Sequence, residues 1–526
     1  MRIAITGGAG RLGQALATRW QATHQVRTVD AVPLPPGSSH QDHLAGDLRD
    51  PAFAQQAVTD ATVLVHLAPI APAGPAATSD LDRLDVATRG TYQLLLAAAD
   101  AGVQTVVLGS TLDLFAAYPG AWHVTEQWAP KPAPTPAHLA PYLAECSARE
   151  LARVLPLQVV CLRLGEVVDE TEVEGQPFDG RWLHLDDALQ AFEQAIAFEP
   201  PEAARNGWWV YHIPAAGSRT RVPLVAASEA LLEYAPLHDF QAWWPAEYTH
   251  QPAAPALPAV ESRAIRKVVV FGAGGPLAAA TAPLLAETYT LRLTDLRPLA
   301  DIVAEGKPRT AWSPLPTLPD PPHETREVDI TDYGQVLAAC EGMDAIVNCT
   351  VNRTNPVEAF RVNCLGAYNV MQAAVAQGIR RVVHTGPQMV TSSQGAGYSW
   401  DYDVGPDVPP RPGSWLYAHT KYLGHEAIRV FAEAYRLEVP TLYFTGFVHS
   451  VKPRRRPDRV GAFTVLWEDA GVAIRRALEV PSLPRPFEVF FISADLPHGK
   501  YSNEKAKRLL GWQPRDSLAH LWGQRD

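Results

Sequence analysis

The sequence predicts two tandem α/β domains, each a doubly wound parallel sheet with a small C-terminal substrate lobe. Three observations predict it. Apolar, strand-like runs alternate with amphipathic helical segments; a glycine-rich turn follows the first strand of each half; and the motif order of the first half returns in the second. The first turn, Thr6-Gly7-Gly8-Ala9-Gly10-Arg11-Leu12-Gly13, follows Ile3-Ala4-Ile5 and leads into a helix reaching Trp20. Its counterpart, Phe271-Gly272-Ala273-Gly274-Gly275-Pro276-Leu277-Ala278, follows Val268-Val269-Val270. In both copies an acid, Asp30 or Asp295, closes the next strand at the same spacing. A turn of this kind brings backbone N–H groups to a pyrophosphate at the positive end of a helix, and the carboxylate suits the ribose hydroxyls. Gly7, Gly10, Arg11, Leu12, Gly13 and Asp30 are therefore expected to bind a dinucleotide. So are Gly272, Gly275, Pro276, Leu277 and Asp295, although Ala278 replaces the third glycine and widens the helix–strand contact.

The elements follow in order. Strands are expected at Ile3–Thr6, Val26–Asp30, Val63–His66, Val106–Leu108 and Val159–Leu164. Helices are expected up to Trp20, after Asp50-Pro51, over Leu84–Ala99 and over Tyr142–Val154. Asp50 is a good N-cap and Pro51 suits the first helical position. A proline-rich loop is expected from Ala129 to Pro141, and residues 165–250 read as the smaller lobe. In the second half, Val328-Asp329-Ile330 echoes Gly46-Asp47-Leu48, and Asn363 to Tyr368 echoes Ala87 to Tyr92. Phe463–Ala477 echoes Trp182–Ala195, acidic pair included. The repeat is far too long for a solenoid and marks duplication of a whole domain. The boundaries are residues 1–250, a Pro/Ala-rich linker over 251–263, and residues 264–526.

Composition narrows the function classes. The chain has 526 residues, 47% of them hydrophobic, and a net charge of −11, which argues against a nucleic-acid surface or attraction to anionic membranes. The first strand begins at the first residues, leaving no room for a signal peptide, and no apolar run approaches a membrane span. Five cysteines without C-x-x-C spacing read as reduced cysteine in a cytoplasmic protein. The 17 histidines show no metal spacing, so no metal is expected.

Taken together, the two turns, the acids, the Gly90 and Gly366 helices, Tyr417-Ala418-His419-Thr420-Lys421 and the closing Ala506 to Pro514 resemble the extended short-chain dehydrogenase/reductase family, in its NAD-dependent epimerase/dehydratase branch. The resemblance runs through nearly all of both halves and implies Rossmann-type domains. It places Asp47-Leu48 and Asp329-Ile330 beside the adenine, with a strand-end cap as the alternative for the two acids. It also implies transfer of hydride at a nicotinamide, with a tyrosine exchanging the proton of a substrate hydroxyl or carbonyl. A phenol with a pKa near 10 is a poor base at neutral pH, and a lysine one turn away stabilises the phenolate.

In the second half Tyr417 and Lys421 share one helix face, and Asn363 occupies the position of the family's proton-relay asparagine. Pro387 stands where the catalytic Ser or Thr belongs, so Thr385, or Thr391, Ser392 or Ser393, is the substitute hydroxyl. The first half is degenerate in the opposite sense. Thr111 keeps the hydroxyl and Tyr142 the phenol, but Cys146 replaces the lysine and Ala87 the asparagine. The second half is thus the candidate catalytic domain and the first a nucleotide-binding or structural one. By the resemblance the halves are expected to pair as an internal pseudo-dimer, giving a monomer, or dimers through some new surface. Asp295 favours NAD, while Arg292 and Arg297 leave NADP open. The expected substrate is a sugar or nucleotide sugar. The alternatives are a non-catalytic redox sensor or scaffold and a reductase of small non-sugar carbonyls. Arg454-Arg455-Arg456 reads either as a diphosphate or carboxylate site or as a solvated run, and the Trp208-Trp209 and Trp243-Trp244 pairs read as packing.

Overall fold

The computed structural model describes residues 1–38, 42–70, 79–200, 207–217, 219, 232–247, 249–250, 252–308, 313–393, 397–449 and 460–522. Arg454-Arg455-Arg456 lies outside them. The chain divides into two compact units, Met1–Ala256 and Leu257–Asp526.

The first unit is built on strands β1 (Arg2–Thr6), β2 (Gln25–Asp30), β3 (His43–Ala45), β4 (Val63–His66), β5 (Thr105–Thr111), β6 (Gln158–Leu164), β7 (Glu166–Val168), β8 (Trp182–His184) and β9 (Trp208–Ile213). Seven of these form one sheet in the order β3-β2-β1-β4-β5-β6-β9, every neighbour parallel. Burial on both faces explains why the central strands read as unbroken apolar runs: all four residues of β4 are buried. The strand order reverses between β1 and β4, which opens a crevice at their C-terminal ends where the glycine turn lies. Asp50 caps the helix Pro51–Val58 by accepting the Ala52 N–H at 2.9 Å.

The second unit repeats the plan with β10 (Lys267–Phe271), β11 (Thr290–Asp295), β12 (Glu324–Glu327), β13 (Ala345–Asn348), β14 (Arg381–Pro387), β15 (Val439–Phe444), β16 (Gly446–Val448), β17 (Thr464–Leu466) and β18 (Phe487–Phe491). Its sheet runs β12-β11-β10-β13-β14-β15-β18, again all parallel. The doubly wound α/β fold expected from the alternating pattern is present twice. In each unit the second acid of the late pair is buried and holds a returning segment. Asp187 accepts the N–H groups of Leu237 and His238 at 2.9 and 3.0 Å, and Asp469 accepts that of Arg515 at 2.9 Å.

Three elements differ from the sequence expectation. The helix carrying Tyr142 begins at Pro136, inside the expected loop, because a proline at the first helical position needs no N–H; Pro141 is carried within the helix. Residues 208–213 join the main sheet as β9 and do not belong to a separate lobe. The helix expected over Leu84–Ala99 is interrupted by a π turn, Val86–Gly90, mirrored in the second unit by Arg361–Leu365. Trp209 packs on the first unit's core and Trp243 on a small cluster with Val173, Trp182 and Phe240, so both serve packing.

The two turns differ at one contact. Gly7 and Gly272 adopt φ of +71° and +80°, a left-handed conformation that favours glycine. At the third position a Cβ on Gly13 would press into the Gly7 carbonyl oxygen and lie 2.8 Å from Gly8 Cα, whereas the second unit buries Ala278 there completely. Gly13→Ala is therefore expected to destabilise the first unit by about 1–3 kcal/mol. Urea unfolding of the full chain measures it, and an unchanged midpoint refutes the close packing.

Candidate active site

In the second unit the glycine turn and the Tyr–Lys helix meet at one cavity of about 160 Å³. Gly275, Pro276, Leu277 and Ala278 line one side; Thr385, Pro387, Tyr417 and Lys421 line another. The turn is closed by Gly275 N–H donating to Gly272 O at 3.1 Å. Gly275 also begins the helix Pro276–Ala286 without a side-chain cap, which leaves its first N–H groups to a ligand. Asp295 is held against the turn by the Gly274 N–H, 2.8 Å from Oδ2. Arg292 is buried and engaged by Glu324 and by the carbonyls of Ala339 and Glu341 at 2.7 and 2.9 Å, while Arg297 pairs with Glu305. Arg292 is thus committed, whereas the Arg297 ion pair is exposed. These residues fit NAD.

Tyr417 and Lys421 stand one turn apart on the helix Leu416–Tyr435 and are both buried. Lys421 Nζ donates to Thr350 O at 2.9 Å and to Thr385 O at 3.2 Å, so the backbone fixes two of its three N–H directions. Burial pulls its pKa down to about 7. On the helix side of the sheet His425 Nδ1 lies 2.7 Å from Tyr443 OH, and His384 lies edge-on to His425 at 5.0 Å. Burial drives both imidazoles well below their ordinary pKa, so neither adds a positive charge beside Lys421.

Because Lys421 titrates low when folded, the unfolded chain holds a proton that the folded chain lacks between about pH 7 and the ordinary lysine value of 10.5. The burial penalty is full below about pH 7 and relieved as pH rises through that window, by about 1.4 kcal/mol per pH unit at most. Without cofactor, the second unit's melting temperature is expected to gain from this group on going from about pH 7 to about pH 10. Lys421→Met should raise the neutral-pH value and remove that gain; thermal melts that superimpose for the two proteins would contradict the burial argument.

The other residues singled out in the sequence are distributed as follows. Thr385 lines the cavity, and its hydroxyl donates to Asn348 O at 3.0 Å, keeping its lone pairs. Of the loop hydroxyls, Ser392 donates to Gly397 O at 2.9 Å, and Thr391 and Ser393 are buried. Asn363 sits in the π turn, where its Nδ2 donates to Asn352 O at 2.6 Å and Thr420 Oγ1 at 3.0 Å. Its Oδ1 accepts the Asn352 N–H at 3.1 Å. That amide braces the loop beside the cavity. Asp329 accepts the Thr331 N–H at 2.8 Å, and Ile330 is buried. The sequence reading missed Arg353, Cys349, Thr445, Phe447 and Trp467, all of which line the cavity. Only Trp467, next to the acidic pair, carried a signal, through its place in the repeat.

In the first unit the same layer is rebuilt. Tyr142 is buried and Cys146 occupies the lysine position. Below them Arg163 donates to both oxygens of Glu145, at 2.9 and 2.7 Å, and Ser110 donates to the same carboxylate at 2.5 Å. Thr111 Oγ1 accepts the Asp113 N–H at 3.1 Å and so caps a turn. Asp30 accepts the Ala9 N–H at 2.9 Å, as Asp295 does its counterpart. Arg11, however, is paired with Asp169 and Glu172, which sets two carboxylates beside the helix end meant for a pyrophosphate. Leu12 packs on the core, Leu48 is buried, and Asp47 is held by Arg49, whose Nε lies 3.0 and 2.9 Å from its two oxygens. His184, Asp186 and His238 bring potential ligand atoms within 4.8 Å of one another, a juxtaposition that sequence spacing does not show. The two imidazoles stack at 3.6 Å, and Asp186 is exposed.

A parallel sheet whose glycine turn shares a cavity with a Tyr–Lys helix defines an NAD-dependent α/β enzyme. The comparisons agree. Residues 3–197 and 268–453 both match the model of the NAD dependent epimerase/dehydratase family, and the chain belongs to that family, in two copies. It is 29% identical over 212 residues to the L-arabinose 1-dehydrogenase (NAD(P)(+)) of Haloferax volcanii, covering 36% of this chain and 82% of the relative. Over 270 residues it is 23% identical to that organism's NAD-dependent glucose-6-phosphate dehydrogenase, covering 48% of this chain and 95% of the relative. The crystal structure of uronate dehydrogenase from Agrobacterium tumefaciens superimposes with a TM-score of 0.39 at 24% identity, covering 50% of this chain and 91% of that one. Among the described residues no helix is long and apolar enough to cross a membrane.

Proposed function

We propose that the second unit oxidises or reduces a hydroxyl or carbonyl of a sugar or nucleotide sugar, and that the first unit supplies structure without turnover. One observation carries this reading: Tyr417 and Lys421 line the same cavity as the glycine turn Gly275–Ala278. Bound NAD supplies the hydride acceptor. The chain supplies the rest. Tyr417 exchanges the proton of the substrate oxygen, and the Lys421 ammonium, held by two backbone carbonyls, favours the phenolate that takes it. Thr385, its hydroxyl proton directed at Asn348 O, keeps lone pairs for a substrate hydroxyl. Phe447 stacks on Trp467 at 3.9 Å and 5°, giving the cavity an apolar wall suited to the C–H face of a sugar ring. The relatives named for arabinose and glucose 6-phosphate support the sugar class. The first unit lacks the ammonium that Tyr142 needs, and the chain is taken to work as a cytoplasmic monomer, which light scattering tests.

The test is a panel of aldoses, sugar acids, sugar phosphates and nucleotide sugars offered to the full chain with NAD and followed by NADH absorbance. At least one sugar should be turned over by the wild type and by Tyr142→Phe. Turnover that survives Tyr417→Phe and disappears in Tyr142→Phe would move the chemistry to the first unit.

A further inference from the structure

Among the described residues the cavity of the second unit is lined by two cations, Lys421 and Arg353, and by no carboxylate. Lys421 belongs to the Tyr–Lys pair. Arg353 has no role there, and among the described residues no acid pairs with it. It is exposed at the cavity, with its guanidinium carbon 5.0 Å from the centre of the Tyr417 ring. Its backbone is braced on both sides. Asn352 exchanges two hydrogen bonds with Asn363, at 3.1 and 2.6 Å, and Asn355 caps the helix Pro356–Phe360 through the N–H groups of Val357 and Glu358 at 2.9 and 3.1 Å. Asn352 Oδ1 closes the loop between them by accepting the N–H groups of Thr354 and Asn355, both at 3.3 Å. A planar, five-donor cation is thus carried on a pinned loop above the reacting phenol, facing a cavity that offers it no counter-charge. In a chain of net charge −11 the missing partner points to the ligand.

We propose that Arg353 is an anion-binding, specificity-determining residue, and that the substrate is an anionic sugar whose carboxylate or phosphate it holds while the reacting hydroxyl faces Tyr417. The proposal rests on the second unit's acting on sugars. A guanidinium fork matches both groups, so the shared chemistry is a resonance-stabilised oxyanion on the sugar skeleton. The Phe447–Trp467 wall receives the apolar ring face and Arg353 the charged end.

The experiment compares kcat/KM for a neutral aldose, the corresponding sugar acid and the corresponding sugar phosphate, in wild type, Arg353→Ala and Arg353→Lys. The wild type should prefer an anionic member over the neutral one, and Arg353→Ala should lower that preference by about 10- to 100-fold, mostly through KM. Arg353→Lys should recover more of it for the phosphate than for the carboxylate if the phosphate is the natural group, and little of it if the carboxylate is. An equal loss for neutral and anionic sugars in Arg353→Ala would overturn the proposal, because the arginine would then act on Tyr417 alone. So would a wild type that prefers the neutral sugar. Should the wild type bind NAD and turn over no sugar, the functional reading fails. Calorimetric binding of the sugar acid and sugar phosphate to NAD-loaded Tyr417→Phe, with and without Arg353→Ala, then decides the anion site by itself: affinity lost with the arginine supports it, and affinity unchanged overturns it.

Discussion

Tyr417→Phe is expected to lower kcat by about 10³-fold while leaving NAD affinity within a factor of about three, the signature of a proton-transfer group that contributes little to cofactor binding. The phenol is buried on the helix Leu416–Tyr435, so the variant loses one oxygen and keeps the ring that packs against Trp415 and under Arg353. Lys421→Met should remove turnover as thoroughly for a different reason. The ammonium that favours the phenolate is gone, and so are its donations to Thr350 O and Thr385 O. The two variants are therefore expected to separate in stability: Tyr417→Phe should melt close to wild type, and Lys421→Met should be the more stable protein near neutral pH. A buried charge kept at a cost in stability marks function. Stopped-flow or steady-state NADH formation, set beside fluorescence titration of NAD, measures the first pair of effects. Retention of wild-type kcat in Tyr417→Phe would remove the chemistry from this cavity.

What sequence reading reached follows from what leaves a local trace. A strand buried on both faces must be apolar, a phosphate turn must have glycine where φ is positive, and Tyr and Lys on one helix face must be spaced by four. Each constraint acts within a few residues, so β1, β10, Gly7, Gly272 and the Tyr417–Lys421 pair were legible. Arg353, Phe447 and Trp467 reach the cavity from three separate segments, and no short pattern joins an arginine after β13 to a phenylalanine in β16. His384 and His425 were invisible for a related reason. They become neighbours only because β14 passes under the helix Leu416–Tyr435, and a lone histidine in an apolar run is usually an ordinary core residue. Asn363 shows the converse. Its position in the repeat was legible, but its amide is directed at Asn352 and Thr420, a commitment that only the packing of the π turn reveals. The helix start at Pro51 was legible from the Asp50 cap, whereas the one at Pro136 was not, because there a run of prolines reads as loop.

Removing Glu145 is expected to destabilise the first unit severely. Its carboxylate and the Arg163 guanidinium are almost wholly buried, at 5% and 6% side-chain exposure, and are joined by two hydrogen bonds, with Ser110 as a third donor. Burial alone would lower the Arg163 pKa, but the adjoining Glu145 charge outweighs it and keeps the guanidinium ionised. Glu145→Ala strands that charge in the interior, with only His212 Nε2 at 3.4 Å and the face of the Phe115 ring at 4.9 Å beside it among the described residues. The cost of breaking such a pair from one side is about 3–5 kcal/mol, which lowers the melting temperature of a unit this size by roughly 10 °C. The second unit carries uncharged Thr420 and Tyr443 in the matching places, Thr420 accepting from Asn363 Nδ2 at 3.0 Å and Tyr443 OH lying 2.7 Å from His425 Nδ1. Glu145→Thr combined with Arg163→Tyr should accordingly recover much of the loss, since a buried ion pair contributes little beyond what an uncharged replacement of similar volume gives. Calorimetric melts of the single and double variants read the coupling directly. If Glu145→Ala unfolds at the wild-type temperature, the pair is not what holds this layer together. If it falls as expected while the second unit still turns over sugar below the melt, the first unit has exchanged a catalytic layer for a structural one.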